Sequence, residues 1–518
     1  MNGPPIAHAR QLAIVALLAL QCQSRAPEEK RPLDATHSGR TSPDGEPGAT
    51  RSDAADGGSP ADGGRADDHL LYVVAGSLDI LSSPSVSALV LGTARAGGSV
   101  ELRAALGPAR VDRDCPQGWY EAQPQGFVCP DKGTTRDPLA PAVQLLREYR
   151  LAARAALPAS YGLSELTPVY LRLPTREEQI RSEQGVEEHL HKLASVRQAQ
   201  DAARAAGYAV QAKEGLEIYP AGLDVPDPLR GGSFAPLAPK PLLAGSAVTG
   251  VLNKGSRVAW VAEFDSGERG WLLTPDLLFV PRDRVKRSIM SGFRGREVPD
   301  GAGIAFIGRR PERRYRKSED GQTFVGDRDP WDPGASVLLA EPGSRFAEEK
   351  FLETVEPGIF LRAEDAIVAQ PTPPSRWGLE ADSRWVEVNT KTNVLLMRDG
   401  ARVSFATLVS VGSSAVPRGK FRVVSKHLTL ASPFDRPKIG GIRAEVPEVM
   451  LISDTLDSPI SFAMYAAWWT NAWGRSNGGS GIALAPLDAR RLFDWTTPRL
   501  PDGWHSVRGG GAWVVLHD

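Results

Sequence analysis

The chain has 518 residues, too many for a single hydrophobic core, and its length predicts several domains. An apolar content of 41% and a charged content of 24% are typical of a soluble globular protein. The 61 lysines and arginines nearly balance the 62 aspartates and glutamates. Because no overall positive field results and no basic block is interleaved with aromatics, we expect no nucleic-acid partner.

The first 22 residues predict an export signal. Their apolar run, LAIVALLAL at 12–20, is too short to span a bilayer comfortably. Cys22 follows almost at once, which favours a lipoprotein cleavage site with a membrane lipid anchor at that cysteine. Gln21 argues against lipidation, because such sites usually place a small residue before the cysteine, and ordinary secretion is the alternative. On either interpretation we expect an exported protein of the periplasm or cell envelope.

Residues 23–68 predict a disordered linker. Glycine, proline, aspartate, alanine and serine dominate this stretch, and Leu33 is its only large apolar residue. Such a composition cannot bury enough apolar surface to offset the entropy lost on ordering. The stretch therefore predicts a flexible spacer ahead of the folded domains.

Residues 69–160 predict a small β-rich domain followed by a helix over 141–157. Short strand-like stretches alternate with turn residues, and two of them, WYEA and FVC, predict a hairpin. Cys115 and Cys129 flank this hairpin, and an exported chain favours disulfides. A metal site would need further ligands, and none are evident. We therefore predict a structural disulfide, worth about 3 kcal/mol for a short loop.

Residues 161–285 predict a mixed module of helix and SH3-like strands. Thr175 and Glu178 form a capping box that opens a predicted helix reaching residue 206. His189 and His191 stand two apart and face different sides of this helix, so they would not easily share a metal, and we interpret them as solvated. A further β-rich module and linker are predicted over 286–378, which leaves 379–518 as the last domain.

The last domain carries seven of the twelve tryptophans and predicts an aromatic-rich core. Within it, NVLLMR and RVSFATLVSV flank Asp399 and Gly400, a favoured pair for a tight hairpin turn. The sequence as a whole therefore predicts a mainly β, multidomain protein, with small SH3-like β-barrel or roll modules and some helix before the C-terminal domain.

The C-terminal domain also contains a series of family motifs in the correct order. They are a strand and hairpin at 385–411, VPRGKF at 416–421, SKHLTL at 425–430, EVPEVM at 445–450, and APLDARRLFDW at 485–495 with LPDGWH at 500–505. On these motifs, residues 379–518 resemble the L,D-transpeptidase (YkuD-type) catalytic domain. The resemblance implies a β-sandwich fold and a peptidoglycan substrate.

The reactive positions of that family are substituted here. The resemblance implies a cysteine thiolate as nucleophile and a histidine that takes its proton. In an ungapped match, Tyr465 stands at the activating histidine, Thr470 at a second histidine, Gly479 at the loop histidine and Gly481 at the cysteine. Since all three cysteines lie at or before position 129, thiol catalysis is excluded in this domain.

Ser480 is the one remaining candidate nucleophile in the glycine-rich stretch. A serine hydroxyl needs a positioned base, and the sequence around Ser480 does not match a nucleophile elbow. His427 and His505 match framework motifs, so we interpret them as structural. An active enzyme that uses Ser480 on peptidoglycan stem peptides therefore stays the weakest alternative.

Two other functions are open. The first is a catalytically inactive module that binds peptidoglycan, with a substrate groove formed by Trp468, Trp469, Trp473 and Arg475, although a core role is slightly favoured for any one of the tryptophans. The second is a scaffold or regulator of an active envelope enzyme. No nucleotide, dinucleotide or zinc motif occurs, so we expect no cofactor and no metal.

Overall fold

The computed structural model describes residues 69–103, 107–207, 223–230, 247–340, 351–412, 416–431, 445–476 and 481–518. The predicted export signal with Cys22, the predicted linker, and positions Gly479 and Ser480 lie outside the described residues. The described chain is mainly β and divided among several sheets, which confirms the predicted fold class. Its sheets are open, and none closes into a barrel in the described ranges. Across the same ranges, no helix is both long and apolar enough to cross a membrane.

Short strands and one helix form the first part of the fold. They are β1 (Leu70–Val73), β2 (Ser77–Leu81), β3 (Val90–Arg95), β4 (Ser99–Glu101), β5 (Tyr120–Glu121), β6 (Phe127–Val128), β7 (Thr134–Thr135) and α1 (Pro141–Glu148). Strands β5 and β6 pair antiparallel, and a disulfide joins Cys115 to Cys129, so the predicted hairpin and bridge are confirmed.

Helix α1 ends at Glu148, well before the predicted end at 157. Leu145 and Leu146 in the helix and Tyr149 directly after it are buried, whereas the alanine-rich stretch that follows has few apolar side chains to bury. That stretch instead forms a turn, in which the Ala152 amide donates to the Pro158 carbonyl at 2.8 Å. High alanine content favours a helix locally, but a helix this short needs tertiary packing along one face.

The second part combines helices with two sheets. Its elements are β8 (Ser160–Ser164), β9 (Thr167–Tyr170), α2 (Arg176–Ser182), α3 (Val186–Ala205), β10 (Leu223–Asp224), α4 (Asp227–Arg230), β11 (Val248–Leu252), β12 (Arg257–Trp260), β13 (Ala262–Ser266), β14 (Arg269–Leu273), β15 (Phe279–Pro281), a 3-10 turn (Arg282–Arg284) and β16 (Val285–Arg287). The sheet orders are β10-β13-β14-β15-β9-β11 and β12-β8-β16.

The helix predicted from Thr175 is two helices, although Thr175 and Glu178 form the predicted capping box. The break falls at Glu183, whose buried carboxylate accepts from the Arg269 guanidinium at 2.6 and 2.8 Å. Gly185 then has a φ of +67°, which suits glycine. A buried ion pair with strand β14 therefore overrides local helix propensity at this point.

The interpretation of His189 as a solvated residue is wrong. Its Nε2 lies 2.8 Å from an Asp283 carboxylate oxygen, and Asp283 also accepts from Arg269 at 2.7 Å. Burial opposes ionisation of Asp283, but the bonds from Arg269 and His189 hold its pKa well below the usual range. This polar cluster attaches helices α2 and α3 to the sheet. His191, by contrast, is exposed.

The third part consists of short strands and two 3-10 turns. They are β17 (Arg296–Glu297), β18 (Gly303–Ile307), β19 (Tyr315–Lys317), β20 (Phe324–Gly326), β21 (Ser336–Leu339), β22 (Phe351–Glu353), β23 (Phe360–Arg362), a turn (Ala363–Asp365), β24 (Ala366–Val368) and a second turn (Pro374–Trp377). Two small sheets result, with the orders β21-β18-β24 and β20-β19-β23-β22.

The last part holds the longest strands and the helix that covers them. Its elements are β25 (Arg384–Asn389), β26 (Val394–Asp399), β27 (Arg402–Leu408), β28 (Ser410–Val411), β29 (Gly419–Ala431), β30 (Glu445–Ser453), β31 (Phe462–Ala466), β32 (Ile482–Leu484), α5 (Pro486–Trp495), β33 (Ser506–Arg508) and β34 (Trp513–His517). Helix α5 buries Ala489, Leu492 and Phe493 in the main core beneath the sheet.

The predicted hairpin of β26 and β27 forms, but its turn residues are shifted by one position. Asp399 still pairs with Arg402, so the two turn residues are Gly400 and Ala401. The Gly400 carbonyl accepts from the Trp385 indole at 2.9 Å, and Gly400 has a φ of +59°. Pairing thus continues through Asp399, and the glycine takes the left-handed position.

The first and last parts of the fold share one sheet. Strand β3 pairs with β33, with Gly92 opposite Val507 and Thr93 opposite Ser506. The sheet continues in the order β17-β27-β26-β25-β34-β29-β33-β3-β2-β6-β5. Trp504 and Val507 belong to the same hydrophobic cluster as the strands of the first part. Residues far apart in the chain therefore form a single continuous structure.

Candidate functional site

Strands β31 and β32 bring the positions matched to the family's histidine and cysteine together. The two strands are parallel, with Met464 opposite Ile482 and Tyr465 opposite Ala483. Met464 and Ile482 face the α5 core, whereas Tyr465 and Ala483 face a second cluster on the other side of the sheet. Gly481 directly precedes the second strand. The alternation of side chains along β31 therefore places Tyr465 on the sheet face away from α5.

Gly481 has no space for a side chain. Its φ is +88°, and a Cβ atom added there would lie 2.4 Å from the backbone carbonyl oxygen of Ala463. The Gly481 carbonyl also accepts from the Gly412 amide at 2.8 Å, which fixes the backbone from the other side. A thiol at this position would require movement of β31 or β32. The backbone thus leaves no room for a side chain at the position that the sequence resemblance predicts for the nucleophile.

Tyr465 and Thr470 both make structural contacts. The buried Tyr465 ring stacks on Trp469, with centroids 6.0 Å apart and an interplanar angle of 21°. Thr470 Oγ1 accepts from the Ala472 amide at 3.1 Å and shapes the turn after β31. Neither Tyr465 nor Thr470 has an imidazole that could act as a base near Gly481.

Trp468 and Trp469, two of the predicted groove residues, contact the second part of the fold. The Trp468 ring is buried and stacks on Tyr161, with centroids 5.0 Å apart. The Arg257 guanidinium lies over the Trp469 ring, 4.1 Å from its centroid. Both tryptophans therefore contribute to the packing between strands β8, β12 and β31, and their role in ligand binding stays a prediction.

Trp473 and Arg475, the other two predicted groove residues, line an open cleft of about 820 Å³. The cleft lies between the loop after β31 and the small sheet of β18, β21 and β24. The indole of Trp473 donates to Ser291 Oγ at 3.0 Å, which fixes its ring against Phe293 at a centroid distance of 6.2 Å. The cleft has the size of a ligand site.

Three further residues of the cleft were not identified from the sequence. Phe293, Arg294 and Arg309 lie about 165 to 180 positions before Trp473 and Arg475, and no local pattern connects them. Only the packing of β18 and β21 beside the last part of the fold brings these residues together. An inter-element cleft of this kind leaves no signal in a single sequence.

Ser425 and His427 form a serine–histidine pair within the sheet. Ser425 Oγ and His427 Nε2 lie 3.1 Å apart on β29, within hydrogen-bond distance. Burial, with His505 nearby, lowers the pKa of His427 to about 3. A group with so low a pKa is a poor general base near neutral pH. His505 Nε2 donates to the Thr429 carbonyl at 2.9 Å, in agreement with a structural role.

Within the described ranges, no three histidine, cysteine, aspartate or glutamate side chains are close enough together to hold a metal ion. The arrangement defines a mainly β, multidomain protein. Its C-terminal sheet leaves no room for a side chain at Gly481 and borders an open cleft. No family model and no curated protein matches the chain.

Among solved structures, the chain is similar to L,D-transpeptidases. A mutant from Enterococcus faecium shows 19% identity and a TM-score of 0.19, over 26% of this chain and 50% of that one. The E. faecium catalytic domain acylated by ertapenem shows 16% identity and a TM-score of 0.20, over 27% of this chain and 99% of that one. An L,D-transpeptidase from Mycobacterium smegmatis shows 14% identity and a TM-score of 0.20, over 45% of this chain and 94% of that one. This chain thus spans half of the first protein's length, and TM-scores of this size carry no functional inference.

Proposed function

We propose that this protein is an exported, catalytically inactive protein of the cell envelope that binds peptidoglycan. The observation that carries inactivity is the closure of Gly481 by the Ala463 carbonyl at 2.4 Å. Because nucleophilic catalysis needs a side chain with room for an approaching substrate carbonyl, this position cannot supply it. Peptidoglycan is proposed from the sequence resemblance, and export from the apolar run at 12–20 with Cys22 after it.

The motifs behind that resemblance meet in one structure. Strands β29 and β30 pair along most of their length, and α5 packs across the same sheet. Buried Lys426, in the motif on β29, donates to the carbonyls of Phe493 and Thr496 at the end of α5. A retained framework beside a closed reactive position favours binding over catalysis.

Acylation by ertapenem tests inactivity. The Cys22→Ser variant of the full chain retains only the two disulfide-bonded cysteines, Cys115 and Cys129. It would be incubated with ertapenem, and its intact mass would be measured by mass spectrometry. We expect no covalent increase in mass, whereas the E. faecium catalytic domain, a solved acylated enzyme, serves as the positive control. An adduct that maps to Ser480 would overturn the proposal of inactivity and restore the serine alternative.

Co-sedimentation with purified sacculi tests peptidoglycan binding. We expect the full chain to pellet with sacculi and Trp473→Ala to pellet at least several-fold less, since Trp473 lines the open cleft. Trp377→Ala is the matched control, because Trp377 is also half-buried but lies outside the cleft. If the unmodified chain stays in the supernatant, peptidoglycan binding is wrong and the scaffold or regulator function becomes the better proposal.

A further inference from the structure

The cleft beside Trp473 carries an excess of positive charge at its rim. Arg294, Arg309 and Arg475 line it together with a single acidic residue, Asp332, and all four are exposed. Among the described residues, none of the three guanidinium groups forms an ion pair or hydrogen bond, although Arg294 lies near enough to the buried Asp488 to lower the pKa of that carboxyl. Three exposed arginines that line one cleft, with Asp332 as the single carboxylate lining it, are arranged for a ligand that brings its own anions.

The floor of the same cleft is apolar. Phe293, Trp473, Ile367 and Leu408 contribute to it, and the first two rings lie at an interplanar angle of 31°. A ligand that fills the cleft must therefore present apolar groups below its charged groups. This combination is met by a peptide whose acidic side chains alternate with aliphatic or aromatic ones.

The walls are held in place before any ligand arrives. The Gly295 amide donates to Asp488 at 2.9 Å, and Arg491 pairs with Glu297 at 2.6 Å, so the segment carrying Phe293 and Arg294 is fixed to α5. On the other wall, the Gly474 amide donates to the Val409 carbonyl at 3.0 Å. Preorganised walls lower the ordering cost of binding.

We propose that this cleft is a binding site for a peptide with two or more free carboxylates, which pair with Arg294, Arg309 and Arg475 while its apolar side chains contact Phe293 and Trp473. Asp332 distinguishes such a peptide from a uniformly charged polyanion. Its carboxylate repels a dense run of negative charge, but it accepts hydrogen bonds from peptide N–H groups. A phosphate polymer would also leave the apolar floor without a partner.

This proposal rests on the proposed function only in that wall peptides are one source of the ligand. An acidic segment of a partner polypeptide offers the same chemistry. The probe is therefore a synthetic peptide, acetyl-Glu-Leu-Glu-Leu-Glu-amide with a fluorescent label, and the readout is anisotropy with the full chain. Its glutamine counterpart, with identical length and leucines, isolates the contribution of the carboxylates.

We expect the glutamate peptide to bind at least tenfold more tightly than the glutamine peptide, with affinity that falls as ionic strength rises. The triple variant R294Q/R309Q/R475Q should lose at least tenfold in affinity. Arg310→Gln is the matched control, because Arg310 is exposed beside Arg309 but does not line the cleft. Asp332→Asn should bind the glutamate peptide two- to threefold more tightly, since a repulsive charge is removed. Equal affinity for both peptides, or an unchanged triple variant, would overturn the proposal.

A second arm separates the two sources and the two proposals. The full chain would be sedimented with intact sacculi and with sacculi whose carboxylates have been converted to amides. Binding to both forms, unaffected in the triple variant, would leave peptidoglycan binding intact and contradict the carboxylate site. Binding of the glutamate peptide with no binding to intact sacculi would support the site and make a partner polypeptide the source of its ligand. Tighter binding of long-chain polyphosphate than of the glutamate peptide would overturn the assignment of a peptide.

Discussion

At position 481 the backbone conformation determines which residue can be accommodated. The left-handed backbone and the nearby Ala463 carbonyl make glycine the residue that fits, so its presence does not require an explanation from function alone. A cysteine placed at 481 would still meet the Ala463 carbonyl, so substitution alone would not open this position. The strands themselves would have to separate.

A single methyl group at this position tests that conclusion. We expect Gly481→Ala to lower the free energy of unfolding by about 3 kcal/mol, because the Cβ meets a backbone atom and the left-handed conformation is strained. Gly107→Ala is the control, since a Cβ at Gly107 meets nothing within 4 Å. Urea unfolding followed by tryptophan fluorescence measures both variants, and equal stabilities would show that the site is open after all.

Asp488 gives the cleft wall a dependence on pH. It is buried at the first turn of α5, and burial raises its pKa from 3.8 to about 6, although bonds from Thr407 and the Gly295 amide lower it in part. Since the folded protein then binds the proton more tightly than the unfolded chain, the stability from this group is complete below about pH 4. It is lost as pH rises through about 6.

The Asp488→Asn variant isolates this effect, because an amide resembles the protonated acid. We expect similar stability of the variant and the unmodified protein near pH 4. Near pH 7 the variant should be more stable by up to about 3 kcal/mol. Unfolding free energies measured from pH 4 to 7 provide the test, and a difference that does not change with pH would contradict the raised pKa.

At the scale of elements, helix α5 is held at its C-terminal end by a buried lysine. Lys426 donates to the Thr496 carbonyl at 2.9 Å and to that of Phe493, and it lies 4.4 Å from the centre of the Phe493 ring. A lysine here satisfies helix carbonyls that have no partner within the helix and complements the helix dipole. Burial lowers its pKa to about 7.

Lys426→Met keeps much of the side-chain volume but removes both hydrogen bonds. We expect it to destabilise the protein by about 2 kcal/mol, because buried carbonyls lose their donors. Lys391→Met, at an exposed position, should change stability by less than about 0.5 kcal/mol. Thermal unfolding monitored by circular dichroism compares the two. An equal effect of both substitutions would mean that Lys426 does not hold the helix.

At the scale of the whole molecule, the contact between β3 and β33 joins the two ends of the described chain. Gly92 is central to it, since a Cβ there would lie 2.5 Å from the Ser506 carbonyl and 2.6 Å from the Trp504 ring. Thr93 and Ser506 hydroxyls lie 2.8 Å apart beside it. A fragment that begins at residue 379 would expose β33 and Trp504, so tests of function need the full chain.

Gly92→Val is expected to open this junction and destabilise the first part of the fold by about 3 kcal/mol or more, because the new side chain meets backbone on β33. Amide hydrogen exchange should rise at β3 and β33 while exchange within β14 stays unchanged. Unaltered protection at β33 would show that the two parts tolerate a side chain at the contact and are not joined as closely as the structure indicates.

Local patterns determined much of this protein. Alternating apolar residues predicted its strands, Thr175 and Glu178 predicted a helix start, and the cysteine pair around a hairpin predicted the disulfide, because each depends on neighbours within a few positions. The absence of cysteine after position 129 was also visible in the sequence, since a missing residue type needs no structure to be noticed.

Only the tertiary structure decided the remaining features. The predicted helix is interrupted at Glu183, because the carboxylate of Glu183 pairs with Arg269 on a strand distant in sequence. The Trp468 ring is stacked against Tyr161, whereas Trp473 lines a cleft together with Arg309. The tertiary structure also showed that Gly481 is closed, because that depends on the carbonyl of a neighbouring strand. Each outcome depends on residues that are distant in the chain, and a pattern read along one sequence contains no information about which of them meet.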